Sequence, residues 1–101
     1  MAELLITEID GIGEAEYFKV NAELGANMET GEGDWPVGLI SHTAGTTDDG
    51  LIVVEIWESR EAQGAELPRL GAAIQKLGLD GALMRSKWAS KLLAHPLDKA
   101  S

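Results

Sequence analysis

The chain has 101 residues, 45% hydrophobic and 25% charged, which suits one globular domain spanning residues 1–101 around a single core. Seventeen acidic against eight basic residues give a net charge of −9, a field that repels nucleic-acid phosphate and anionic membrane surfaces alike. There is no cysteine, which removes disulfides, thiolate chemistry and Cys-ligated metal.

The first ten residues, MAELLITEID, are apolar only briefly and carry Glu3 and Glu8, unlike a signal peptide. No apolar run approaches the roughly 20 residues of a membrane span, so a cytoplasmic protein is expected. Residues 2–9 are β-branched and apolar and stop at DGIG, which reads as a strand ended by turn residues. From Glu14 the spacing becomes helical and holds to about Met28. This helix carries two apolar stripes: Ala15, Phe18, Ala22 and Ala26 on one side, and Tyr17, Val20, Leu24 and Met28 nearly opposite. An outer helix of a two-layer domain needs one such stripe, so the second calls for protein packing or a cavity wall.

After the acidic, Gly-rich ETGEGDWP, residues 37–46 and 51–57 read as a hairpin closed by TDDG, with Gly50 available for a positive φ. Ser59 is a helix cap. Pro68 predicts a break, with a short helix over about 60–66 and a second running from Pro68 until Gly78. Met84, Trp88 and Leu92 recur by four, which fits one face of a helix or of a strand. With the last element a strand near residues 83–93, the order is βαββαβ: an α+β, ferredoxin-like protomer with an antiparallel sheet and two helices on one face. Residues 51–57 are apolar at nearly every position, so neither face of that strand suits water, and a homodimer through the open sheet face is expected.

The stretch GLISHTAGTTDDGLIVVEIWESREA, residues 38–62, resembles the antibiotic-biosynthesis-monooxygenase-type proteins of the dimeric α+β barrel superfamily. The shared features are a Gly-led strand, His-x-Ala-Gly, an acidic-Gly turn and a β-branched strand ending in Trp-Glu-Ser. The resemblance implies that the last segment is a strand, that two sheets face each other in a dimer, and that a cavity lies between sheet and helices. Family members include cofactor-independent oxygenases of polycyclic aromatic compounds and haem-degrading enzymes; relatives are isomerases and polyketide cyclases. In the haem-degrading members a His in the helix after Trp-Glu-Ser ligates iron. This chain has only His42 and His95, neither of them in that helix, so no cofactor is expected unless His42 itself binds haem.

Closing the hairpin on Thr46 and Leu51 sets His42 opposite Glu55 and Ile40 opposite Trp57. A His beside a Glu in a low-dielectric cavity is a candidate general base, with Trp57 as a flat wall for an aromatic ligand. The other reading is a cross-strand pair that only satisfies two half-buried polar groups. Tyr17, Phe18, Leu24 and Trp35 are candidate ligand-binding residues, each with a plain packing alternative. Ser41 and Thr43 point away from His42, so no Ser–His–acid triad forms, and two distant histidines make no metal site. His95 is expected to be solvated. Two functions follow: an enzyme acting without metal or haem on a small aromatic or polyketide-like compound, as a monooxygenase, cyclase or isomerase, or a non-catalytic ligand-binding or accessory dimer.

Overall fold

A computed structural model describes residues 2–27 and 30–93; the expectations for Met28 and His95 fall outside them. Six elements follow in order: β1 (Glu3–Asp10), α1 (Glu14–Glu23), β2 (Leu39–Thr46), β3 (Gly50–Trp57), α2 (Arg60–Lys76) and β4 (Leu83–Trp88). The four strands form one antiparallel sheet in the order β2-β3-β1-β4. This is the ferredoxin-like α+β arrangement, in which the third strand pairs with both the first and the second.

Alternation sorts the sheet into two faces. Leu5, Thr7 and Ile9 of β1 and Leu51, Val53 and Trp57 of β3 are buried. With Ala44 and Tyr17 packed around Ile9, Leu51 and Val53, they form the layer beneath the helices. Trp57, 3% exposed, and Leu51, also 3% exposed, each contribute about 1.5–3 kcal/mol of burial. Leu4, Ile6, Ile52 and Val54 occupy alternate positions and face away.

Helix α1 begins where Glu16 Oε1 accepts the Gly13 N–H at 2.7 Å. It stops at Glu23 rather than near Met28, because Gly25 takes φ +82° and closes the end. The Gly25 N–H donates to Ala22 O and the Ala26 N–H to Asn21 O, satisfying the last carbonyls in a Schellman pattern. The apolar spacing through Leu24 conceals this stop. Helix α2 is a single helix despite Pro68. The carbonyl facing the proline ring belongs to Gly64, and both residues are exposed, so water can take the hydrogen bond that proline cannot make. Ser59 caps α2, accepting the Ala62 N–H at 3.1 Å, and Gly78 follows it at φ +71°. Arg69 reaches across to Leu24 O, and Lys76 to Glu23 at 2.6 Å, tying the two helices together. The fourth strand ends at Trp88, five residues short of the expected limit.

Two details of the hairpin differ from expectation. Gly50 does not use a positive φ; a Cβ there would lie 2.0 Å from Ile9 O, so glycine is required by the close approach of β1. The second is a bulge between Leu39 and Ser41, which sets Leu39 rather than Ile40 opposite Trp57. Since the obstructing atom at Gly50 is backbone, Gly50→Ala should cost at least about 2 kcal/mol of unfolding free energy, read from urea denaturation.

Candidate active site

The register of β2 on β3 sets His42 directly against Glu55. Both lie on the helix-facing side, where the other inward residues of β3 are Leu51, Val53 and Trp57, and both side chains are largely buried, at 13% and 17% exposure. His42 Nδ1 lies 2.7 Å from Glu55 Oε2. The other carboxylate oxygen accepts the Trp57 indole N–H at 3.1 Å. On the far side of the imidazole, Nε2 lies 2.5 Å from the Tyr17 hydroxyl. Four side chains from three elements thus form one chain, Tyr17–His42–Glu55–Trp57.

The donors and acceptors can be placed. An indole nitrogen only donates, so Glu55 Oε1 is an acceptor. The Tyr17 phenol is pushed up to about 12, mainly by burial, with the nearby Glu55 charge adding to the rise and an Asn21 hydrogen bond opposing it. It is therefore protonated at neutral pH. When Tyr17 donates its hydrogen to Nε2, the imidazole's own hydrogen sits on Nδ1 and is donated to Glu55. No buried side-chain nitrogen or oxygen among the described residues lacks a partner.

These groups border a cavity of about 220 Å³ between the sheet and both helices. Its walls include Tyr17, Val20 and Leu24 from α1, Leu67, Leu70 and Ile74 from α2, and Trp57 from the sheet. Cavities of roughly 150 Å³ accept benzene, so this space suits one ring or two fused rings and not three or four. It also lies below the roughly 300 Å³ at which drug-sized pockets begin. Asp34, Glu55, Glu66 and Asp80 line it, and no Lys or Arg does among the described residues. A shallower hollow of about 330 Å³ lies outside it, bordered by Gly31, Ile40 and Ser41. His42, Trp35 and Leu39 line both spaces and form the partition between them. The Trp35 ring stands 5.4 Å from the His42 ring and its N–H is held by Gly31 O at 2.9 Å.

Tyr17, Leu24, Trp35, His42, Glu55 and Trp57 all meet at the cavity. Phe18 does not. It is 46% exposed on the opposite stripe of α1, edge-on to Tyr17, and Ala15 and Ala22 of that stripe are exposed as well, while Ala26, past the helix end, turns back to the cavity. Asn21, absent from the sequence-based candidates, is buried and lines the cavity, with its side-chain amide donating to Tyr17 O at 2.8 Å. Its signal was a lone polar residue four positions after Tyr17 on the inner stripe. No cluster of three His, Asp or Glu side chains able to hold a metal occurs among the described residues. No helix among them is long and apolar enough to cross a membrane.

Comparison of this chain with protein-family models, with curated proteins and with solved structures yields no match. The site's own geometry therefore carries the functional argument.

The protein has a single tyrosine, so phenolate absorbance reports Tyr17 alone. It should titrate near 12 in place of the ordinary 10. In Glu55→Gln the midpoint should fall, because a carboxylate charge opposing the phenolate is gone, yet stay above the ordinary value because burial remains. The raised value contributes stability that is complete below pH 10 and is lost as pH rises towards 12.

Proposed function

We propose that the protein is an enzyme that moves protons on a small, neutral, ring-bearing ketone by general acid–base catalysis, with Tyr17 as acid and His42 as base. The observation that carries this reading is the Tyr17–His42–Glu55 chain at the edge of an apolar cavity. Four carboxylates and, among the described residues, no Lys or Arg line the space, which excludes an anionic ligand, and the largely apolar walls favour a neutral one. Its size is set by about 220 Å³.

The step follows from hydrogen-bond exchange. An entering carbonyl takes the Tyr17 O–H and releases Nε2, which then accepts the proton from the carbon beside the carbonyl. The electron pair of that C–H bond becomes the enolate, stabilised by the phenol proton. The new imidazolium is held by Glu55 through Nδ1–H, and Trp57 keeps the carboxylate turned towards it. Return of the proton to another carbon gives an isomer, and attack of the enolate on a second carbonyl gives a ring. Reaction of such a carbanion with dioxygen is the monooxygenase chemistry implied by the resemblance of residues 38–62 to antibiotic-biosynthesis-monooxygenase-type proteins. Enolisation is common to all three and needs no cofactor, since only a proton moves.

A second reading, a binding module without turnover, draws on the capping of Nε2 by Tyr17. Deuterium exchange at the α-carbon of 2-tetralone, followed by proton NMR, separates the two. The enzyme should accelerate exchange well above buffer. Measured at a temperature where every variant is folded, His42→Ala should remove about 100-fold or more of that rate, with Tyr17→Phe also slowed, although loss of the imidazole lowers the melting temperature by stranding Glu55. Exchange at the buffer rate with the intact protein would leave the binding module.

The reading includes a homodimer through the outer sheet face. Ile52 and Val54 face outward beside Ile6, which is 37% exposed, and Leu83 on the edge strand is 57% exposed. On that face Arg85 is neutralised by Glu8 and Asp10, each at 2.9 Å, and Lys87 stands opposite Ile6 on the edge strand, so the apolar area is centred on β1 and β3. Sedimentation at micromolar concentration should give about twice 10.8 kDa, and Val54→Lys should return it to the monomer.

A further inference from the structure

The chemistry proposed for the cavity uses Tyr17, His42 and Glu55 and leaves a pair of hydroxyls in the sheet unused. Thr7 of β1 faces Ser86 of β4, with Thr7 Oγ1 and Ser86 Oγ 2.9 Å apart. Both residues line the cavity. Thr7 is 8% exposed and surrounded by Leu5, Ile9 and Val53, whereas Ser86 is exposed on the edge strand.

Two hydroxyls that bond only each other have one hydrogen to spare. Either can be the donor. If Thr7 donates, the spare hydrogen belongs to Ser86 and meets solvent. If Ser86 donates, the spare hydrogen belongs to Thr7 and is available to the cavity. Reversing the direction breaks no bond, because the O···O contact is kept, so an acceptor arriving in the cavity can select the second arrangement.

The sheet register gives the separation from the first station. Thr7 is opposite Val53, Val53 is opposite Ala44, and His42 lies two residues farther along β2. Strand spacing and rise place the Thr7 and His42 Cα atoms about 12 Å apart. A fused two-ring compound with oxygen at both ends bridges a gap of that order, while a single ring does not.

We propose that the Thr7–Ser86 hydroxyl pair is a second anchoring station, so that the ligand is a neutral, fused two-ring ketone bearing a hydroxyl or carbonyl oxygen on its far ring. The inference rests on the cavity being the ligand site and names which ligand it takes. Carboxylated analogues are excluded by the acidic lining.

The test is calorimetric binding of 2-tetralone and 6-hydroxy-2-tetralone, which differ only in the far oxygen. The intact protein should bind the hydroxylated ketone about five- to tenfold more tightly, the gain of a neutral hydrogen bond in a dry site. The Thr7→Val, Ser86→Ala double variant removes both hydroxyls together and leaves no orphan, so it should fold with an unchanged melting temperature. It should bind the two ketones within about twofold of each other. Ser86→Ala alone keeps the Thr7 hydroxyl and should keep the preference. Equal affinities in the intact protein, or a preference that survives the double variant, would overturn the proposal, as would failure of both ketones to bind at millimolar concentration. His42→Ala separates this result from the catalytic reading: it should lose α-carbon exchange and still prefer the hydroxylated ketone.

Discussion

The pairing of β2 with β3 in one register underlies the whole site. Side chains alternate along a strand, so a slip of one residue would put His42 on the outer face with Ile52 and Val54, away from Glu55, Tyr17 and the cavity. The correct register is enforced from both directions. A slipped β2 would turn Ala44 out of the core formed by Ile9, Leu51 and Val53 and put Thr43 in its place. It would also separate an imidazole and a carboxylate that each cost about 1–3 kcal/mol or more when buried alone. Apolar burial and polar pairing therefore select the same arrangement.

The contacts that stabilise the fold are also the ones that organise the candidate site. Trp57 fills the sheet beneath the helices and also turns Glu55 towards His42. Tyr17 packs on the core and closes the open nitrogen of the imidazole. In the proposed reaction, an arriving carbonyl would only replace one hydrogen bond with another, so Tyr17 and His42 need little rearrangement.

The fold was legible because its signals are local and repeated: β-branched runs, turn residues, a Ser cap and a Gly stop. The His42–Glu55 pairing was legible for the same reason, since a short turn fixes a hairpin's register. Errors arose where a local rule met a non-local fact. Pro68 reads as a break, but solvent at Gly64 lets α2 continue. Gly25 sits inside an apolar repeat that hides a helix end. Gly50 looks like a turn glycine and is instead a close-approach glycine, visible only once β1 lies beside it. Phe18 and Tyr17 are neighbours of similar character, and only the packing of α1 on the sheet decides which faces inward. The Thr7–Ser86 contact joins residues 79 positions apart, beyond the reach of spacing arguments.

The bulge at Ile40 separates two stretches of the chain that would otherwise be locked in phase. Downstream of it, the alternation that presents His42 to Glu55 is fixed by the turn. Upstream, the extra residue resets which side chains face inward, so Leu39 reaches the cavity while Ile40 borders the outer hollow. The orientation of the imidazole is thus set by the turn and not by residues 30–38, in which Gly33 and Gly38 are held by their own close contacts and Trp35 is the large side chain facing the cavity. Under the proposed function, the wall that would meet a ligand and the His42–Glu55 pair lie on either side of a single residue, which makes substrate range and reaction type separately evolvable traits.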